Sequence, residues 1–398
     1  MDRKIVFLSP MCLLDTRSGA AHTLRTLLSW LGEAGWEAYS ISASLFDGNH
    51  EFPMAVAVGY QLAHQQHQGK FLQYSSAGIQ HHILYTDSTL KENLTATEGK
   101  QLVLKTEELL SAWKPDIVIG FGKSPLSKKL WEIARRYSRK LVFYLANSSY
   151  EEAQLFAPFD HILCPSGFLR DFYRDRLGLQ PDILPEVIAD YAYTPTHEVL
   201  ATSHISLRKH GFITFINPCP QKGATLALVL IQIAFQQRPD LMFLFVEGQM
   251  SKEQWQQNGV DIANMPNVWW IPNQQEMRSV YRRTSILLFP SFWPEASGRS
   301  ITEAQLGGIP VLATRRGGIP EQLNGGGFLF DIPEGCDKQY LKVPSTEAIQ
   351  PWFDTICTLM DNDQAYAEAV TRARIATQSF EPEQRKQDVV AQMEHLAS

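Results

Sequence analysis

SILLFPSFWPEASGRSITEAQLGGIPVLATRRGGIPEQLNGGG, residues 285–327, is the stretch whose reading decides the fold. Ser285-Ile-Leu-Leu-Phe289 is short, almost wholly apolar and closed by Pro290, the pattern of a parallel strand buried on both faces. A polar loop, Ser291 to Ser297, follows; then Gly298-Arg299-Ser300 opens a helical stretch, Ile301 to Leu306, that ends at Gly307-Gly308. A strand feeding a helix start in this way builds a place for an anion. The amides of Ser297 to Ser300 would face the loop mouth with the positive end of the helix dipole behind them, and glycine at 298 permits close approach of a phosphate. Glu295 stands before that mouth, and Glu303 stands eight positions on, in the helix. A carboxylate is a natural acceptor for a vicinal diol, and each such charged hydrogen bond is worth roughly 1.5–3 kcal/mol once water is excluded. One carboxylate is therefore placed to take sugar hydroxyls on one side of a diphosphate and the other to take ribose hydroxyls on the far side. The spacing alone also fits two solvated carboxylates beside any strand, loop and helix, so the flanking residues must discriminate.

Those residues are Pro290-Ser291, Glu295, Gly298, Glu303-Ala304, Gly308-Ile309-Pro310-Val311, Gly317-Gly318 and Pro320-Glu321, which together closely resemble the signature of the retaining GT-B glycosyltransferases of family 4. Upstream, Phe212 to Ile216 followed by Asn217-Pro-Cys-Pro-Gln-Lys222-Gly223 resembles the first strand and phosphate loop of that family's C-terminal domain. Leu241 to Val246, Asn267 to Ile271 and Tyr281 fall where the family has successive β/α units.

The resemblance implies an α/β chain of GT-B fold: two Rossmann-like parallel-sheet domains facing across a cleft, with a C-terminal helix crossing back to the first domain. The boundaries expected are 1–190 for an acceptor-binding domain, 191–207 for the linker, 208–376 for a nucleotide-sugar domain and 377–398 for the returning helix. Closure of the two domains would gate the reaction. The donor-binding set carried over is Gly19, Asn217, Lys222, Ser297, Gly298, Arg299, Ser300 and Glu303, with Glu295, Lys222 and Asn147 as the catalytic set. The chain departs from the family at three places. Asn217-Pro218 stands where an arginine is common, and Arg299 is the expected replacement cation. Only Gly19 remains of a glycine pair after the first strand. Asn147, after Leu141 to Leu145, takes the place of a histidine, through its amide or its backbone carbonyl.

The activity implied is transfer of a sugar from a nucleoside-diphosphate donor, UDP- or GDP-linked, to a hydroxyl acceptor with retention, by front-face attack and with neither metal nor further cofactor. The acceptor, whether glycan, lipid, small molecule or protein, is left open. Departures at Asn217 and Asn147 leave room for a donor-hydrolysing epimerase or a sugar-joining synthase of the same fold, and a non-catalytic nucleotide-sugar binder is the alternative from another class.

Composition agrees with two ordinary cores: 398 residues, 44% hydrophobic. Strands alternate with helical stretches, Lys4 to Leu8, Ala20 to Ala34, Glu37 to Ala43, then Ile117 to Gly120, Leu126 to Tyr137 and Leu141 to Leu145, as parallel sheets covered by helices require. No apolar run is long enough to span a bilayer, and the first residues read as a strand, which points to a cytoplasmic protein. A net charge of −6 argues against a nucleic-acid partner. The stretch Leu126 to Lys140, rich in Lys and Arg, fits either a peripheral membrane contact or, more commonly, the charged outer face of a covering helix. Five scattered cysteines suggest neither disulfides nor zinc, and His64, His67, His81 and His82 read as surface or core histidines.

Overall fold

The computed structural model describes residues 3–58, 67–184, 187–189, 211–257, 265–378, 380 and 382–398. The expected linker, 191–207, and His64 lie outside the described residues. The chain forms two compact units, Met1–Val187 with Pro382–Ser398, and Ile188–Glu381.

In the first unit the strands are β1 (Lys4–Leu8), β2 (Glu37–Ala43), β3 (Phe71–Ser76), β4 (Ile79–Leu84), β5 (Ile117–Gly120), β6 (Lys140–Tyr144), β7 (His161–Cys164) and β8 (Asp182–Ile183). They lie in the order β3-β4-β2-β1-β5-β6-β7-β8. Every neighbouring pair is parallel except β3 with β4. Strand order reverses between β1 and β5, which opens a crevice at their carboxyl ends. Local sequence starts the covering helices. Ser18 caps Gly19–Glu33, Thr95 and Glu98 form a reciprocal capping box on Ala96–Trp113, and Ser124 precedes Pro125 at the start of Pro125–Tyr137.

That last helix is the basic stretch. It buries Leu130, Trp131, Ile133 and Ala134, while Arg135, Arg136 and Arg139 pair with Asp160 (2.5 Å), Glu107 (3.1 Å) and Asp116 (3.1 Å). These carboxylates offset much of the charge that a membrane surface would have to attract. Among the described residues no helix is long and apolar enough to cross a bilayer. The final helix, Pro382–Ala397, belongs to this first unit. Val389, Met393 and Leu396 join the core of Leu24, Leu28 and Leu184, and Arg3 Nη1 donates to the Glu394 carbonyl at 3.1 Å.

The β3–β4 hairpin is not among the strands expected from the sequence. Its turn, Ala77-Gly78, has both residues at positive φ (48° and 76°), the requirement of the two-residue turn that matches strand twist. In β4, Ile79, His81 and Ile83 face inward, so a histidine takes a core position. His81 Nδ1 meets Ser40 Oγ at 2.8 Å and Nε2 meets Ser76 Oγ at 2.9 Å. Burial, and then the charges of Arg25 and His82, push its pKa down to about 3. An unfolded histidine titrates near 6.5, so the neutral form stabilises the fold fully above that pH, and the stability drains as pH falls through the window toward 3. The expected slope approaches 1.4 kcal/mol per pH unit below about 6. Chemical denaturation of wild type and His81→Gln between pH 7 and 4.5 checks this; equal pH slopes in the two proteins would refute it.

The second unit is one parallel sheet, β9 (Phe212–Ile216), β10 (Phe243–Val246), β11 (Val268–Ile271), β12 (Thr284–Phe289), β13 (Val311–Thr314) and β14 (Phe328–Phe330), in the order β11-β10-β9-β12-β13-β14. Here the order reverses between β9 and β12. Both central strands are largely apolar, Phe212-Ile-Thr-Phe-Ile216 and Ile286-Leu-Leu-Phe289 after Thr284-Ser285, as burial on two faces favours. Helices Ala224–Gln237 and Thr346–Asp361 pack over one face around Phe215, Phe245 and Trp352.

Candidate active site

Two loops leave the carboxyl ends of β9 and β12, the adjacent strands at which order reverses, and this is where ligands enter open α/β sheets. The loop after β9 turns at Asn217, which takes a left-handed φ of 57° and directs its Oδ1 to the amide of Gln249 at 2.8 Å. Asn217 therefore ties this loop to the end of β10. Cys219 to Lys222 form a short turn, and Gly223, at φ 83°, starts the long helix Ala224–Gln237.

The loop after β12 is bound directly to the first: the amides of Phe292 and Trp293 both donate to the Gln221 carbonyl, at 2.9 and 3.0 Å. That clamp sets Lys222 opposite Glu295. Lys222 Nζ reaches Glu295 Oε1 at 2.5 Å, and Ser291 Oγ donates to the same oxygen at 2.6 Å. Glu295 is only 8% exposed. A third loop, after β13, supports it from behind, where the Gly318 amide donates to the Glu295 carbonyl at 2.8 Å and Thr314 Oγ1 to the Ser291 carbonyl at 2.5 Å. Gly317, at φ 57°, lies so close that a Cβ there would stand 2.5 Å from the Glu295 carbonyl oxygen.

The helix start follows at once. Gly298, φ 118°, precedes Arg299–Leu306, and no side chain caps the helix, leaving the mouth to backbone amides. Ser297 is buried and Ser300 half-buried beside it. Glu303 lies one turn further in and is 6% exposed. Its Oε1 accepts from Arg299 Nε at 2.8 Å and its Oε2 from the Tyr281 hydroxyl at 2.6 Å. Burial, reinforced by the Glu303 charge, holds the Tyr281 phenol well above its ordinary pKa, so it stays a donor. Arg299, expected as the replacement diphosphate cation, pairs with Glu303 four residues on. This i,i+4 pair offsets the unfavourable placement of an arginine at a helix N-terminus.

The second unit therefore brings Asn217 and Lys222, on the loop after β9, and Glu295, Ser297, Gly298, Arg299, Ser300 and Glu303, on the loop after β12 and the helix it feeds, to one end of its sheet. Gly19 and Asn147 belong to the first unit. Gly19 opens the helix after β1 with ordinary φ, and a Cβ there would meet nothing within 4 Å. Asn147, just past β6, is spoken for on its oxygens: Oδ1 accepts from Ser149 N and Oγ (3.0 and 2.6 Å), and its carbonyl accepts from the Tyr173 hydroxyl at 2.8 Å. Its side-chain amino group is what it has left to offer a substrate. Sequence reading missed Tyr281 as the second support of Glu303, and Ser291 as a ligand of Glu295. The signal for Ser291 was present in its spacing of four from Glu295; that of Tyr281 depended on a contact across 22 residues.

Known proteins resemble this chain in part of its sequence and in its fold. Residues 212–338 match the family model described as glycosyl transferases group 1. D-inositol 3-phosphate glycosyltransferase of Corynebacterium efficiens is 34% identical over 109 residues, and that of Corynebacterium glutamicum 33% over 106; each match takes in 27% of this chain and 21% of the relative. The chain thus matches about a fifth of the length of these relatives. Among solved structures, sucrose-phosphate synthase from Thermosynechococcus elongatus superposes with a TM-score of 0.66 at 16% identity, covering 99% of this chain and 98% of that one. HepE from Anabaena, solved with UDP and glucose, gives 0.62 at 16% identity, covering 99% and 100%. The fold is that of the GT-B glycosyltransferases.

Proposed function

We propose that this chain, which carries a glycosyltransferase group 1 domain over residues 212–338, transfers a sugar from a nucleoside-diphosphate donor to a hydroxyl acceptor with retention at the anomeric carbon. The observation that carries the reading is the juxtaposition of Lys222 with Glu295 at the β9/β12 reversal, on the loop that runs into an uncapped helix start whose second turn holds the buried Glu303. The second unit holds the nucleotide, with UDP or GDP as the expected carrier. The structure of Anabaena HepE in complex with UDP and glucose favours the former.

As the anomeric carbon–oxygen bond breaks, negative charge grows on the diphosphate and positive charge on the ring. Lys222 and the amides from Gly298 to Ser300 stabilise the first, each fixed donor contributing about 3–4 kcal/mol at best. Glu295 orients the sugar through its hydroxyls and favours the cationic ring. The departing phosphate oxygen accepts the acceptor's proton as the new bond forms on the same face, so the scheme asks for no separate base and draws its positive charge from lysine and backbone. Glu303 anchors the ribose with the lone pairs that Arg299 and Tyr281 leave open.

The test is calorimetric titration of UDP, GDP, ADP and TDP, with Glu303→Ala and Glu303→Gln alongside. One diphosphate binds in the micromolar range to the wild type, and both variants weaken it at least about tenfold, the worth of one charged hydrogen bond. Glu303→Gln keeps a partner for Tyr281, so loss of binding there is loss of the diol acceptor and not of the fold. Wild type that binds none of the four would defeat the proposal.

A further inference from the structure

The charges of the site raise a difficulty that the sequence did not show. Lys222 is bonded to Glu295 and Arg299 to Glu303, so the four side chains sum to zero. A nucleoside diphosphate entering such a place brings negative charge into a partly desolvated site with no net counter-charge, and a buried unmatched charge is expensive. Asn217, at the start of the first loop, contributes none, and its Oδ1 is committed to Gln249.

The third loop carries two further cations. Arg315 is exposed and pairs with Asp331 at 3.3 Å. Arg316 differs. It is half-buried, its Nε is buried with no hydrogen-bond partner, and it forms no ion pair among the described residues. Its place in the chain is equally particular: it directly precedes Gly317-Gly318, the pair whose backbone rests on that of Glu295. The geometry of β13 fixes this, because Thr314, its last residue, is bonded to the Ser291 carbonyl and the chain must turn across Glu295 immediately after. A guanidinium of fixed charge, desolvated in part, without a counter-ion and one residue from the glycine pair that rests on the Glu295 backbone, gains a matching charge when an anion arrives.

We propose that Arg316 is a further diphosphate-binding cation of this chain, the third loop supplying a positive charge beside Lys222, whose own is matched by Glu295. The inference rests on the nucleotide-sugar reading above. Arg316 takes a phosphate oxygen of the donor and keeps it as the nucleoside diphosphate departs, so its contribution grows with the number of phosphates and is absent for the nucleoside.

Calorimetric titration tests it, with UDP, GDP, ADP and TDP, the monophosphate and nucleoside of whichever binds tightest, and inorganic pyrophosphate, against wild type, Arg316→Gln, Arg316→Lys and Arg315→Gln. Arg316→Gln is expected to weaken the diphosphate at least about tenfold, as loss of a charge-assisted hydrogen bond implies. It leaves the nucleoside unchanged, Arg316→Lys recovers part of the loss, and Arg315→Gln behaves as wild type. Arg316→Gln binding the diphosphate like wild type overturns the inference and leaves the function intact. Equal losses for diphosphate and nucleoside also overturn it, since the residue would then be shaping the loop. Wild type that binds no nucleoside diphosphate removes both the inference and the function it rests on.

Discussion

Replacing Glu295 by alanine is expected to lower donor turnover at least about a thousandfold, near 4 kcal/mol of barrier, while leaving nucleoside-diphosphate affinity unchanged or improved. The direction follows from what its oxygens touch. Oε1 holds Lys222 Nζ and Ser291 Oγ, so the ground state spends the lysine on the glutamate. Removing the carboxylate releases Lys222, which is 25% exposed and can turn to phosphate at little cost. Binding of the nucleotide therefore does not suffer, whereas the sugar loses the group that orients it and the only carboxylate of the three loops not already enclosed by Arg299 and Tyr281. Single-turnover hydrolysis or transfer with the donor whose diphosphate binds, set beside calorimetry on the same preparation, reads both numbers. Parallel loss of turnover and nucleotide affinity would instead assign Glu295 to nucleotide binding, and undiminished turnover would remove it from the mechanism.

The second unit was legible because a parallel sheet writes itself plainly. Its strands are buried on both faces, so Phe212–Ile216, Phe243–Val246 and Thr284–Phe289 stand out as apolar runs, and the glycines and prolines after them mark the loops. The positions of Lys222, Glu295 and Glu303 on those loops could be read for the same reason. The partners could not. Arg299 is expected at a phosphate because Asn217-Pro218 stands where the family has an arginine; its i,i+4 pairing with Glu303 was present in the sequence as a spacing, but whether that spacing closes into an ion pair depends on side-chain burial that a one-dimensional pattern does not carry. The β3–β4 hairpin was illegible on different grounds. It is edged by solvent, its residues alternate in burial, and its inward face includes His81, whose serine partners come from two other strands, so the hydrophobic period is diluted below recognition. Arg316 escaped notice because the absence of a partner is a property of the folded site alone.

Gly223→Ala is expected to be the most disruptive single-methyl change in the second unit's site. Gly223 sits at φ 83°, a region that costs an L-residue about 1–2 kcal/mol. An added Cβ would also stand 1.9 Å from the Pro290 carbonyl oxygen and 2.8 Å from its carbon. Both are backbone atoms at the end of β12, so neither can rotate away as a side chain would. The first and second loops must part, and with them go the two bonds to the Gln221 carbonyl that set Lys222 against Glu295. The combined cost should exceed about 3 kcal/mol, in the range of mutations that force strained backbone. Gly19→Ala makes the matched comparison: its φ is ordinary, its Cβ meets nothing, and at the first position of a helix alanine should be neutral or stabilising by up to about 1 kcal/mol. Urea denaturation of both variants, followed by tryptophan fluorescence, separates them, and nucleotide titration of Gly223→Ala reports the loop. If the two alanines are equally tolerated, the close approach at Gly223 does not hold the loops together, and the clamp on Lys222 and Glu295 must come from the hydrogen bonds to Gln221 alone.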